Sequence, residues 1–211
     1  MVDSGRAARR DAVAEMKRTI ILDAALAVFE ADGLEGASMR TIAKAAGYTP
    51  GAIYAYFPSK EHIYAAALGA SLDRLRIAVE ESAISVNGRE RFIASGLAFF
   101  DFYDTNPRDL DLGFYLFRGG MRPHGLSAEL NAELNGKLLA ALDPVRSAGR
   151  DLGVDDDEAR VMTADVLAHA SGLLLLAHTR RIDLFELDAR QLMIRYLRRA
   201  LAIVDETSCD D

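Results

Sequence analysis

Tryptophan is absent from this chain, and cysteine occurs once, as Cys209 in a polar tail. A lone cysteine cannot close an intramolecular disulfide, which excludes a disulfide-stapled secreted scaffold and fits a reducing compartment. No basic residue lies near Cys209 in sequence to lower its thiol pKa, so an incidental thiol is expected rather than a redox sensor. Long apolar runs are missing too. The longest strongly apolar run, Leu173 to Ala177, is too short to span a bilayer, and no membrane partner is expected. The first residues are charged and lack an apolar stretch, so no signal peptide and a cytoplasmic location are expected. There is no Gly-rich phosphate loop, no G-x-S-x-G, no H-E-x-x-H and no C-x-x-C. An enzyme is therefore not expected, nor a cofactor, nor a metal. His169 and His178 lie nine apart, half a turn out of phase on a helix, and cannot readily share one ion.

What is present is an ordinary globular composition. Half of the 211 residues are hydrophobic and only 5 are proline, and the chain is long enough to bury a sizeable core in one or two domains. The net charge of −7 argues by itself against a nucleic-acid binder. Its distribution says more. Residues 1–62 carry 8 Lys and Arg against 8 Asp and Glu, and residues 63–211 carry 17 against 24. A neutral head on an acidic body is compatible with DNA binding if the head's basic residues share a face.

The most informative stretch runs from Met39 to Lys60. Ser38 is a good N-cap for a first short helix, whose apolar face is Ile42, Ala43 and Ala46. Gly47 can turn the chain at positive φ. Thr49 is a second N-cap, and Pro50 sits at the first helical position, where its missing N–H costs nothing. A helix from Pro50 to about Tyr56 is too short to stand alone and needs packing from Ile53 and Phe57. Two short helices around a glycine turn form a helix-turn-helix, whose second helix would enter a major groove.

The series Ile42-Ala43-x-x-Ala46-Gly47-x-Thr49-x-Gly51-x-x-Tyr54-x-Tyr56-Phe57-x-x-Lys60-Glu61 resembles the DNA-binding segment of the TetR family of bacterial transcriptional regulators. About a dozen residue types match in order and spacing. The close resemblance covers roughly residues 15–65; beyond it only length and helical character are similar. It implies an N-terminal three-helix DNA-binding domain, placed here at 1–62, and a C-terminal helical ligand-binding and dimerisation domain at 63–211. The whole is expected to be all-α with about nine helices.

Within the head, the Thr49 hydroxyl and the backbone N–H groups of Gly51 and Ala52 make a natural phosphate contact, and Gly51 lets a backbone come close. The resemblance implies phosphate contacts at Tyr54, Tyr56 and Lys60; core packing is the alternative for the tyrosines, with the Tyr54 ring buried and its hydroxyl outward. Pro50 to Tyr56 contains no Arg, Lys, Asn or Gln, the usual bidentate readers of bases. Arg40 and Lys44 on the preceding helix are the nearest readers. Pro50, Ala52 and Tyr48 could add apolar contact to thymine methyls. Residues 1–10, with Arg6, Arg9 and Arg10, fit either a basic arm on DNA or a frayed, solvated end. Lys17 and Arg18 are expected to be solvated.

A helical pattern from about Asp11 to Ala31 should brace the head and stop at Gly33. A long helix then runs from Pro58 or Ser59 to Ser82, followed by helices at Arg89–Thr105, Leu110–Phe117 and Ser127–Gly149. Pro144 should kink or divide the last of these. Two more helices follow, from Asp155 to Arg181 and from Leu187 to Asp205, with a disordered tail beyond. The Asp155–Glu158 run suits a helix N-terminus better than a cation site. From Val166 to Ala177 the chain is apolar nearly all round, which fits either a central core helix or a homodimer through the last two helices. The resemblance implies the dimer.

A regulator needs an input. Phe99, Phe100, Tyr103, Phe114, Phe117, His124, His169 and Leu173 are candidates to line a pocket for an apolar or aromatic small molecule, although aromatics at helical spacing are also what a plain core contains. The function expected is a ligand-responsive regulator, a repressor released from a palindromic double-stranded operator by that molecule. The alternative is a ligand-binding or protein-interaction module of the same fold that has lost specific DNA binding.

Overall fold

Apolar residues recurring at helical spacing become nine α-helices among the described residues, and no strand is present among them. The structure is a computed structural model and describes residues 2–84, 87–115 and 126–207. The expected tail and the stretch holding Phe117 and His124 lie outside these. The chain divides into two compact units, one of residues 1–70 with 114–132, the other of residues 71–113 with 133–211.

The first unit is built on helix α1 (Val2–Gly36), α2 (Met39–Ala46), α3 (Pro50–Tyr54) and the start of α4 (Lys60–Ser82). Helix α1 begins nine residues earlier than its apolar pattern suggests, because residues 2–10 continue the helix, with 5–10 exposed. Its break comes where expected: Gly33 sits at φ 73°, ψ 170°, open to glycine but not to a residue with a Cβ. The core is Ile21, Ala25 and Phe29 of α1, Ile42 and Ala43 of α2, Ile53 of α3, then Phe57, Ile63 and Tyr64. The Phe29 and Tyr64 rings meet edge to face with centroids 6.0 Å apart.

The second unit holds the rest of α4, then α5 (Gly88–Thr105), α6 (Pro107–Tyr115), most of α7 (Ala128–Asp151), α8 (Asp156–His178) and α9 (Ala189–Thr207). Helices α5, α8 and α9 pack against one another. Met193, Leu197 and Leu201 form the buried stripe of α9, and Phe92, Phe99, Phe100 and Tyr103 that of α5. A bidentate pair from Arg190 Nε and Nη2 to Asp101, at 2.7 and 2.9 Å, ties the two helices at their surface. Arg74 to Asp109 and Lys137 to Asp73 join α4 to α6 and to α7.

Four local expectations are corrected. Helix α6 starts at Pro107, because that proline occupies the first helical position directly after the α5 cap at Asn106. Helix α7 runs through Pro144 without dividing, since a proline removes one backbone bond and the buried packing of Leu142, Val145 and Ala148 holds the rest. A 3₁₀ turn, Ile182–Phe185, stands between α8 and α9, so α8 ends at His178. Helix α8 is also long and apolar enough, by length and composition, to cross a membrane; one side of it packs on α5 and α9. The acidic start of α8 behaves as a cap: Asp155 accepts the Glu158 N–H at 2.8 Å, and Asp156 pairs with Arg146 at 2.5 Å.

A Cβ placed on Gly96 of α5 would lie 2.6 Å from Leu197 Cδ2 of α9. Gly96→Ala should therefore destabilise the protein by about 1–3 kcal/mol through overpacking, measured by chemical denaturation. A variant as stable as wild type would show that Leu197 can move aside.

Candidate nucleic-acid interface

Helix α2 is closed at both ends by its own sequence. Ser38 and Thr41 form a reciprocal capping box, with Thr41 N–H donating to Ser38 Oγ at 3.1 Å and Ser38 N–H to Thr41 Oγ1 at 2.9 Å. Gly47 ends the helix at φ 73°, ψ 24°, and the Tyr48 N–H returns to Ala43 O at 2.9 Å. The chain then restarts as α3 with Thr49 as N-cap and Pro50 in the first turn. Only five residues are helical here, so α3 stops short of Tyr56.

The sequence-selected DNA residues all lie outside the buried core. Arg40, Lys44, Thr49, Pro50, Gly51 and Tyr54 are exposed, while Tyr48, Ala52, Tyr56 and Lys60 are half-buried. Three details differ from expectation. The Ala52 N–H is not free for a phosphate: it donates to Thr49 O at 3.0 Å and to Thr49 Oγ1 at 3.3 Å. The Thr49 hydroxyl accepts that bond and keeps its own proton to donate. Tyr54 is 55% exposed, so its ring is not core. Lys60 Nζ donates to Ala37 O at 3.0 Å, which spends part of that ammonium on joining α4 to the α1–α2 link.

Gly51 is different in kind from Gly47. Its backbone lies outside the positive-φ region, and a Cβ built on it meets nothing within 4 Å. Nothing within the fold asks for a glycine there.

Arg18 is the residue that sequence reasoning missed. It is half-buried rather than solvated: its Nη1 donates to Tyr56 O at 3.0 Å and its guanidinium lies 4.4 Å from the Phe57 ring centre. It satisfies the carbonyl just past α3 and holds Phe57 in place. The signal was available, since Arg18 stands on the same stripe as Ile21, Ala25 and Phe29, three residues before the first of them.

Residues 21–67 match the sequence profile of bacterial regulatory proteins of the tetR family. This segment is similar to the DNA-binding part of tetR-family regulators. The HTH-type transcriptional repressor KstR of Mycolicibacterium smegmatis is 38% identical over 69 residues, 33% of this chain and 34% of KstR. KstR of Rhodococcus jostii is 41% identical over 59 residues, 28% of each chain. The match thus spans about a third of these relatives' length. The fold is similar to that of the regulator FadR of Bacillus subtilis, solved with stearoyl-CoA, at TM-score 0.66 and 19% identity over 86% of this chain and 96% of that one. A tetR-family protein of Rhodococcus RHA1 superposes with TM-score 0.64 at 22% identity, covering 89% and 96%.

In the second unit, the pocket candidates are mostly core. Phe99, Phe100, Tyr103 and Leu173 are buried. Phe99 and Phe102 each meet the Tyr103 ring edge-on at 5.2 Å. Burial, with the Asp109 carboxylate nearby, raises the Tyr103 phenol above its ordinary range. His169 is half-buried and stacks on Tyr196 at 4.0 Å. Burial lowers its pKa and pushes that of Tyr196 up to about 12, and the His169 Nε2 has no hydrogen-bond partner. The Phe114 side chain, Phe117 and His124 lie outside the described residues. Among those residues no group of three or more His, Cys, Asp or Glu is placed to hold a metal ion.

Arg18→Ala should cost about 1–2 kcal/mol, the sum of a charged hydrogen bond and a ring contact that are both part-exposed. Chemical denaturation measures it. Arg18→Lys should recover less than half, because an ammonium cannot stack flat on Phe57 while reaching the carbonyl.

Proposed function

We propose that this protein is a ligand-responsive DNA-binding transcriptional regulator, a repressor released from a palindromic operator by a small molecule. The observation that carries it is Gly51. A glycine in the first turn of α3, with open space where its side chain would be and no positive φ to satisfy, is explained by something outside the chain that approaches the backbone closely. A DNA phosphate at the exposed Thr49–Gly51 end of the helix is that something. Tyr54 and Tyr56 add hydroxyls. Arg40 and Lys44 of α2 serve as base readers, beside apolar contacts from Tyr48, Pro50 and Ala52. Lys60 contributes chiefly by bracing α4. KstR, alike in this segment, is an HTH-type transcriptional repressor, which supports repression.

The head corresponds to residues 1–62 and the effector and dimerisation body to 63–211. The protein acts in the cytoplasm and carries no enzymatic activity. Two copies join through α8 and α9. In support, α8 leaves Val161, Ala168, Gly172 and Leu175 exposed along one side, with Val161 and Leu175 52% and 53% accessible. The effector is apolar, in keeping with the aromatic and aliphatic body core and with the stearoyl-CoA bound by the FadR of similar fold. Its binding must favour the DNA-incompetent state, transmitted along α4, which has residues in both units.

Selection of genomic fragments by the purified protein at near-physiological salt tests the function; one enriched palindrome is expected. Binding to every fragment alike, lost with modest added salt, would favour the module that has lost specific DNA binding. The absence of Arg, Lys, Asn and Gln from Pro50 to Tyr56 is what keeps that second reading in view.

Gly51→Ala should leave the melting temperature unchanged or slightly raised while weakening operator binding at least ~10-fold, the worth of roughly 1.4 kcal/mol. Equal affinity would remove the phosphate from this position. Val161→Glu combined with Leu175→Glu should sediment as a monomer; a wild-type sedimentation coefficient would place the dimer interface elsewhere.

A further inference from the structure

The outward sides of the last two helices carry opposite charges. On α9 the side turned away from the buried stripe of Met193, Leu197 and Leu201 holds Gln191, Ile194, Arg195, Arg198, Arg199 and Ala202. These residues line an open groove of about 320 Å³. At roughly 100° per residue they fall within an arc of roughly 140°. The three arginines are exposed, and none of them makes an ion pair among the described residues. From Ala189 to Val204 the sequence has four arginines and no acidic residue, although the body as a whole is acidic. Arg190 is committed to Asp101; the other three face outward.

The outward side of α8 is the complement. Glu158 and Asp165 fall within one arc of roughly 100° with Val161, Ala168, Gly172 and Leu175, and all of these are exposed. Neither carboxylate makes an ion pair among the described residues, whereas the neighbouring Asp156 and Asp157 are taken by Arg146 and Arg160. The two helices are joined by a short turn and pack side by side, so they run antiparallel. His169 stacks on Tyr196 midway along both. Asp165 stands roughly 6 Å from that level, and Arg198 and Arg199 roughly 3–5 Å from it in the same direction. Burial and the charge of Asp165 together raise the Tyr196 phenol, which places Asp165 near α9. Glu158 lies two turns further along the same side of α8. Acid and base thus stand at one level of the bundle without meeting inside one chain.

We propose that this pattern selects the dimer partner by charge: Arg195, Arg198 and Arg199 of one copy seat against the partner's Asp165 and the partner's Glu158. The proposal rests on the α8–α9 dimer read above and adds what makes it specific for a second copy of this chain. A two-fold interface presents the same patch from both sides, so whatever the patch offers it must also accept. A patch that is acidic on one helix and basic on the next meets that condition. An apolar stripe alone would accept any helical pair of similar shape, whereas unlike charges on both helices reject a partner that lacks the match. The groove lies beside the α8 stripe of Val161 to Leu175, so one copy covers both. A small anion would satisfy the arginines and leave the adjacent carboxylates unmatched. In the dimer each pair is made twice, between faces that exclude water from one another.

The test is a charge exchange, read by analytical ultracentrifugation, with circular dichroism confirming the fold of every variant. Arg195→Glu/Arg198→Glu/Arg199→Glu and Glu158→Arg/Asp165→Arg should each dimerise at least ~100-fold more weakly than wild type, since like charges then face each other. An equimolar mixture of the two should dimerise again, because each variant then meets its opposite on both helices. Added salt should loosen the wild-type dimer. Arg195→Gln/Arg198→Gln/Arg199→Gln, which removes charge without reversing it, should lose that salt dependence. Either charge-reversed variant dimerising alone as tightly as wild type would overturn the proposal; if Val161→Glu/Leu175→Glu is then still monomeric, the α8–α9 dimer stands without it. A mixture that stays monomeric although both variants are folded would also overturn it. So would an arginine variant that stays dimeric and loses affinity for inorganic phosphate, which would make the groove an anion site. A monomeric wild type would overturn the dimer and the proposal together.

Discussion

Helix α3 is too short to persist without outside support, and the head is arranged around that constraint. Five residues close barely one turn of hydrogen bonds, far below the length at which a helix holds itself in water. Support comes from three directions. Thr49 and Pro50 preset its start, Ile53 and Phe57 bury its inner side, and Arg18 occupies the carbonyl just beyond its end. With the inner side committed to the core, the outer side is left to Thr49, Pro50, Gly51 and Tyr54. The surface proposed to face DNA is thus a by-product of how a very short helix is held, which is why it is rich in small and capping residues and poor in long polar ones.

The body follows a different logic. Its helices are long and hold one another through buried stripes, and surface ion pairs such as Arg190–Asp101 and Lys137–Asp73 join helices already packed. Pairs this exposed contribute little singly; their effect is to fix registers between helices. The apolar excess of α8 is only partly absorbed by α5 and α9 in one chain. A second copy would absorb the remainder, and a stripe running from Val161 to Leu175 is where it would do so.

Much of the head was legible because its determinants are local. The capping box of Ser38 and Thr41, the left-handed Gly47 and the cap at Thr49 each act within three or four residues, so their spacing alone carried them. The stripe of α9 was legible for the same reason. Less was legible where one residue could serve two partners. Lys60 looked like a phosphate contact and is bonded to Ala37; Arg18 looked solvated and is a brace. Tyr54 was expected with a buried ring and stands in solvent. The aromatic candidates of α5 could line a pocket or fill a core from their spacing alone, and Phe99, Phe100 and Tyr103 are buried.

By itself, then, the sequence determined the all-helical class, the helix-turn-helix, its caps and its turn, because backbone propensity and hydrophobic period are written over a few adjacent residues. The tertiary structure decided which charged side chains are structural and which face outward. Arg18 meets Tyr56 across 38 positions, and Lys60 meets Ala37 across 23. Partners so far apart are chosen by how helices pack, and one side chain carries no mark of the partner that packing will bring to it.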